Sequence, residues 1–102
     1  MQKILDDEII VENNKEAQRF ETDINGTLGV AEYQLNGQKI IFTHTGVPRS
    51  IGGQGVANKL VKTALDYARD NHLQVVPLCS FVSVYIRRHP EYKDLLAPDR
   101  GL

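Results

Sequence analysis

The chain has one cysteine, Cys79, no tryptophan, and three histidines, His44, His72 and His89, that stand far apart. A single cysteine excludes an intrachain disulfide framework and any cysteine-cluster zinc or iron–sulfur site, and the histidines lack metal-ligand spacing. No metal is expected, and a reduced, cytoplasmic setting fits. No apolar run approaches the ~20 residues of a membrane span, and Met1–Asp7 has neither a basic nor an apolar signal segment, so neither membrane contact nor export is expected. Excess charge is also missing: 12 Lys and Arg stand against 13 Asp and Glu, which argues against a nucleic-acid partner. The halves differ, however. Residues 1–48 carry four basic against eight acidic side chains and residues 49–102 eight against five, so the balance runs from −4 to +3. An anion site belongs in the second half. With 102 residues and 41% apolar content, one domain spanning 1–102 is expected, able to fold alone as a monomer.

The first half reads as strands between Asn/Gly turns: Ile9–Glu12, a connection at Asn13–Lys15, then Arg19–Thr22, a turn at Asp23–Gly26, and Thr27–Leu35. Asn36-Gly37 is the strongest hairpin signal, since both residues tolerate the positive φ of a type I′ turn, and Lys39–Thr45 is a fourth strand. From Gln54 to His72 the period changes. Val56, Ala57, Leu60, Val61, Ala64, Leu65 and Ala68 recur at helical spacing. Leu73–Leu78, with no alternation, predicts a strand covered on both faces and parallel to a neighbour. Ser80 is placed to cap a second helix, Phe81–Arg88, ended by His89-Pro90, and Ala97–Leu102 reads as a loose tail. The order ββββ-α-β-α predicts an α+β fold with a mixed sheet.

Gly52-Gly53-Gln54-Gly55 lies between a strand and the long helix. The first amides of a helix have no internal partner, so such a loop either cradles a phosphate or merely permits a turn. It is neither a Walker A sequence nor a Gly-x-Gly-x-x-Gly fingerprint. Arg49, Lys59 and Lys62 are near enough in sequence to help an anion there.

Four stretches together, His44-Thr45-Gly46-Val47-Pro48, Gly52 through Leu60, Pro77-Leu78-Cys79-Ser80-Phe81 and His89-Pro90-Glu91-Tyr92, resemble the small single-domain branch of the GNAT acetyltransferase superfamily. The resemblance implies a pyrophosphate-binding loop of the form Arg/Gln-x-x-Gly-x-Gly/Ala on Gly52, Gly53, Gln54, Gly55, Val56 and Ala57. Gly55 and Ala57 match, while Gly52 replaces the Arg or Gln, which removes a side-chain contact and leaves the backbone cradle. It further implies splayed fourth and fifth strands, with the pantetheine arm of acetyl-coenzyme A along Thr45, Gly46 and Val47. Cys79 would then stand beside the thioester, where this branch carries a cysteine. A thiol there is either an acetyl acceptor or a small buried filler. Its apolar neighbours Leu78 and Phe81 are expected to raise its pKa, which favours direct transfer past a pocket-lining Cys79. His44 shares strand parity with Ile40 and Phe42, so it reads as a core histidine or, beside the thioester, as a base. Tyr85 matches the superfamily's proton donor to the departing thiolate, against an ordinary packed aromatic. Arg87 and Arg88 are expected to be solvated.

The resulting expectation is an acetyl-coenzyme A-dependent N-acetyltransferase acting on an amine acceptor that the sequence leaves open. The alternative is a coenzyme A-binding module without turnover, and a third reading is an interaction domain that keeps only the fold.

Overall fold

The computed structural model describes residues 5–98. Five strands form one sheet in chain order, β1 (Glu12–Asn14), β2 (Arg19–Ile24), β3 (Thr27–Asn36), β4 (Lys39–Gly46) and β5 (Gln74–Pro77). The first four are antiparallel, and β5 returns parallel to β4 after helix α1 (Val56–Asp70). Helix α2 (Ser80–Arg88) and a 3₁₀ segment, Pro90–Leu95, follow. The expected mixed α+β sheet is present. Several boundaries differ, each for a local reason. β1 is Glu12–Asn14, not Ile9–Glu12, and the turn falls at residues 15–18, where Asn14 Oδ1 accepts the Ala17 N–H at 3.1 Å. Ile9 is a core side chain instead. At the next hairpin but one, Asn36 pairs with Lys39, and Gly37 alone takes a positive φ of 61°. The position expected for a Ser80 cap belongs to Cys79, with Ser80 the first helical residue. The tail reading fails at Ala97, whose N–H donates to the Val75 carbonyl at 2.9 Å and whose side chain is buried with Ile41 and Val76. Residues 99–102 lie outside the described residues.

Both helices pack on one face of the sheet. Val56, Leu60, Val61, Ala64, Leu65 and Ala68 of α1 and Val82, Tyr85 and Ile86 of α2 join Phe20, Ala31, Tyr33, Ile40, Phe42 and Val75 in one core. Each such large apolar side chain contributes about 1.5–3 kcal/mol. We call this the inner face. None of the described helices is long and apolar enough to cross a membrane.

Two irregularities of β4 matter most. Glu32 pairs with His44 but Tyr33 pairs with Phe42, so Thr43 is an extra residue, a β-bulge. Residues paired across strands share a face, which puts Thr45, opposite Ala31, on the inner face and His44, opposite Glu32, on the outer one. The parity expectation for His44 is therefore overturned: the bulge turns it away from Ile40 and Phe42, and it is exposed. Second, β5 pairs with β4 only up to Phe42–Pro77. The Cys79 N–H then donates to the Phe42 carbonyl at 2.9 Å, and the chain turns into α2. Among the described residues, Thr43–Gly46 has no partner strand on that side, and the expected splay of strands four and five begins here.

The 3₁₀ segment is fastened to the C-terminal half of α1. Tyr92 donates its hydroxyl to Asp66 Oδ1 at 2.7 Å, and Arg69 grips both Asp94 oxygens, at 2.8 and 3.0 Å, and the Glu91 carbonyl at 2.7 Å. Burial, followed by the hydrogen bond to Asp66, raises the Tyr92 pKa. Because the folded value lies above the ordinary tyrosine value of about 10, this contribution is intact below pH 10 and lost as pH rises beyond it. Tyr92→Phe is expected to lower stability by about 1 kcal/mol in urea titrations at neutral pH, with a smaller deficit above pH 10.

Candidate active site

After β4 the chain makes a 3₁₀ turn, Arg49–Ile51, anchored by the buried Ile51, and enters α1 through glycines. Gly53 and Gly55 have φ of 75° and 82°, values that side chains resist, and a Cβ at either would meet nothing within 4 Å. Conformation, not crowding, requires glycine here. Gly55 caps α1 without a side chain, and its carbonyl accepts the first helical bond from the Lys59 N–H at 2.9 Å. The amides of Val56, Ala57 and Asn58 are left without helical partners, at the positive end of the helix. A cavity of about 230 Å³ opens on them, lined by Val47, Gly52, Gly53, Gly55, Val56, Ala57, Asn58 and Phe81. The glycine segment and the end of β4, singled out separately in the sequence, meet in this wall. Gln54 is half-buried and outside it, as are Arg49, Lys59 and Lys62, the last donating to Asp66 at 2.9 Å.

Sequence reasoning missed Asn58 and Phe81. The helix pattern put Asn58 on the polar side, and only its place in the first turn hints at a ligand. Both residues also line a smaller adjoining hollow of about 90 Å³ with Val84, Tyr85, Arg88 and His89. The two form one groove between α1 and α2.

Cys79 stands where β4 and β5 part. Its thiol donates to Thr45 Oγ1 at 3.4 Å, and it is half-buried at the N-cap of α2. Burial pushes the thiol pKa up, but the Thr45 hydroxyl and the backbone of Val82, Phe81 and Thr45 outweigh that and hold it below the ordinary cysteine value. The expectation of a raised pKa is thus corrected. Leu78 and Phe81 are neighbours in sequence, yet they are 55% and 37% exposed, and the thiol faces Thr45 and a helix N-terminus instead.

His44 and Cys79 lie on opposite sides of β4. The imidazole lies over Gly46, where a Cβ would come within 2.9 Å of Nε2. Tyr85 is farther along α2, six residues and about 9 Å of helical rise beyond Cys79. Its ring stacks on His89 with centroids 3.9 Å apart, and burial raises its pKa. Thr45, Gly46, Val47 and Cys79 are therefore brought together, His44 reaches the same edge from the outer face, and Tyr85 belongs to the groove. Arg87 and Arg88 are exposed, as expected.

An open edge on β4, a glycine-capped helix beside it and a splayed parallel neighbour are the features of the GNAT-like fold that the sequence resembled. Residues 19–95 match the family model described as GCN5-related N-acetyl-transferase, and the chain belongs to that family. It is similar to Protein NATD1 of Mus musculus, 30% identical over 95 residues that cover 88% of this chain and 86% of the mouse protein. Protein NATD1 of Homo sapiens is likewise 30% identical, with 88% of this chain and 84% of the human protein covered. Among solved structures, the solution structure of a GCN5-like protein from Staphylococcus aureus is 29% identical with a TM-score of 0.69, covering 92% of this chain and 90% of that one.

Thr45→Val removes the hydroxyl that faces the thiol. Iodoacetamide should then alkylate Cys79 more slowly at neutral pH, and the rising limb of the alkylation profile should move to higher pH. An unmoved profile would show that Thr45 does not tune this sulfur.

Proposed function

We propose that the protein is an acetyl-coenzyme A-dependent N-acetyltransferase in which Cys79 carries the acetyl group between donor and amine. One observation carries this reading: the Cys79 thiol stands against Thr45 where β4 and β5 part, and Val47 and Phe81, each two residues from this pair in sequence, are in the wall of the glycine-lined cavity. The cavity suits the coenzyme. Unpartnered amides at a helix N-terminus fit a pyrophosphate, and the groove toward Arg88 gives an elongated ligand room. Strand amides along Thr45–Val47 are available to a pantetheine arm.

In this reading the Cys79 thiolate attacks the acetyl carbon, a new carbon–sulfur bond forms, and the bond to the coenzyme sulfur breaks. A backbone N–H of the open β4 edge stabilises the tetrahedral oxyanion. Tyr85, kept protonated by burial, is the proton source for the departing thiolate. His44, across β4, removes a proton from the entering amine, which attacks the acetyl-Cys79 carbonyl and expels the Cys79 thiolate, and the proton on His44 makes up for the one Tyr85 gave to the coenzyme.

Intact-mass measurement after incubation with acetyl-coenzyme A should show one acetyl adduct that hydroxylamine removes, with none on Cys79→Ser. Coenzyme binding by calorimetry should survive that substitution. Thiol release with amines but no adduct would return the chemistry to direct transfer, and binding without release would leave a coenzyme-binding module. Gly55→Val should weaken coenzyme binding, at a folding cost of about 1–2 kcal/mol from the forced φ. Tyr85→Phe should keep binding and lower turnover by about 10²-fold; unchanged turnover would leave Tyr85 a packing partner of His89.

A further inference from the structure

Helix α2 borders a second hollow, which the site described above does not use. Its volume is about 320 Å³, and its wall is Pro77, Ser83, Ile86, Arg87, Lys93 and Leu96. That volume falls in the range of about 300–1,000 Å³ typical of small-molecule pockets. Ser83, Ile86 and Arg87 stand at helical positions i, i+3 and i+4 and so share one flank of α2. Phe81, Val84, Tyr85 and Arg88, which line the groove toward α1, belong to the other flank. An occupant of this hollow therefore leaves that groove free.

The wall divides by chemistry. Pro77, Ile86 and Leu96 give it an apolar floor without an aromatic ring, while Arg87 and Lys93 bring two positive charges from separate elements. Neither cation has an ion-pair partner among the described residues. The acids nearest to Lys93 in sequence are turned elsewhere: Asp94 holds Arg69 with both oxygens, and Glu91 is close enough to Tyr85 and Tyr92 to raise both hydroxyl pKa values. Among the described residues no carboxylate is in the wall. Ser83, half-buried, adds a hydroxyl. The wall is also fixed in place, since Tyr92 and Asp94 tie the 3₁₀ segment to α1 and Leu96 bridges Val75 at the edge of β5. Two like charges that converge on such a hollow repel each other until an anion lies between them.

We infer that this hollow binds a small aliphatic monocarboxylate, with its carboxylate between Arg87 and Lys93 and its hydrocarbon body over Pro77, Ile86 and Leu96. A planar guanidinium matches a carboxylate as a two-pronged fork. A single negative charge fits better than a phosphate dianion. Arg87 is in the last turn of α2, at the negative end of the helix dipole and far from its free N-terminal amides, so side chains alone hold the anion. Proline, isoleucine and leucine side chains suit an alkyl body, which the hollow removes from water. The site needs neither Cys79 nor acetyl transfer, and it stands or falls apart from them.

The test is a titration of the isotope-labelled full chain with sodium hexanoate, followed by its amide resonances. Saturable shifts should appear at Ser83, Arg87, Lys93 and Leu96, with half-saturation at about 1 mM or below. Hexanol has the body without the charge and acetate the charge without the body, and each should bind about tenfold more weakly or worse. Inorganic phosphate should do no better than acetate. Added salt should weaken hexanoate binding. In the double variant Arg87→Gln, Lys93→Gln the affinity for hexanoate should fall about tenfold or more, whereas Arg88→Gln, on the other flank of α2, should leave it unchanged. Both side chains are exposed, so the double variant should keep the circular dichroism of the parent. Hexanoate shifts confined to other residues, an undiminished affinity in the double variant, hexanol binding as tightly as hexanoate, or phosphate binding more tightly than hexanoate would overturn the inference.

Discussion

β4 must satisfy two neighbours of unequal length. β3 runs beside it to Gly46, whereas β5 stops at Pro77, opposite Phe42, because a proline cannot continue the ladder and Cys79 has already taken the Phe42 carbonyl. The bulge at Thr43 falls directly after that point. One extra residue thus inverts the faces of everything beyond it: Thr45 comes to the thiol, His44 goes to the opposite side, and a stretch of strand edge is left unpaired. Without the bulge, His44 would be driven into the core beside Phe42 and the thiol would lose its hydroxyl partner. Gly46 completes the arrangement, since only a residue without Cβ leaves the imidazole its place.

The sheet also separates charge. Helices α1 and α2 both begin near the open end of β4, so two positive helix ends converge on the inner side, one at Gly55 and one at Cys79. The carboxylates of β1–β3 occupy the outer side. The lowered thiol pKa comes from the Thr45 hydroxyl and the backbone of Val82, Phe81 and Thr45, against the raising effect of burial.

Much of this was readable in the residues. Helix α1 declared itself by periodicity, Asn36-Gly37 marked its hairpin, and the glycine segment stood out as either a phosphate cradle or a bare turn before its cavity was seen. What escaped reading shares one property: it depends on register between distant segments. Alternation gave His44 the parity of Phe42, and nothing in His44 or its neighbours announces that β3 skips Thr43. The Cys79 environment was misjudged for the same reason, since Leu78 and Phe81 are adjacent in sequence while Thr45, 34 residues away, is adjacent in space. Phe81 and Asn58 became wall residues only when two helices were placed side by side.

Strand order in the sheet equals strand order in the chain, and this has a consequence for assembly. The pairings from β1 to β4 close through short turns, and such local contacts form early and cheaply. The parallel pairing of β4 with β5 must instead wait for the whole of α1 to fold back, the costliest loop closure in the molecule. Amides of β2 and β3 should therefore exchange with solvent most slowly, and those of β5 and the start of α2 should open first. The reactive corner is thus built on the last-formed seam of the domain, so partial unfolding disarms the thiol before it dissolves the meander.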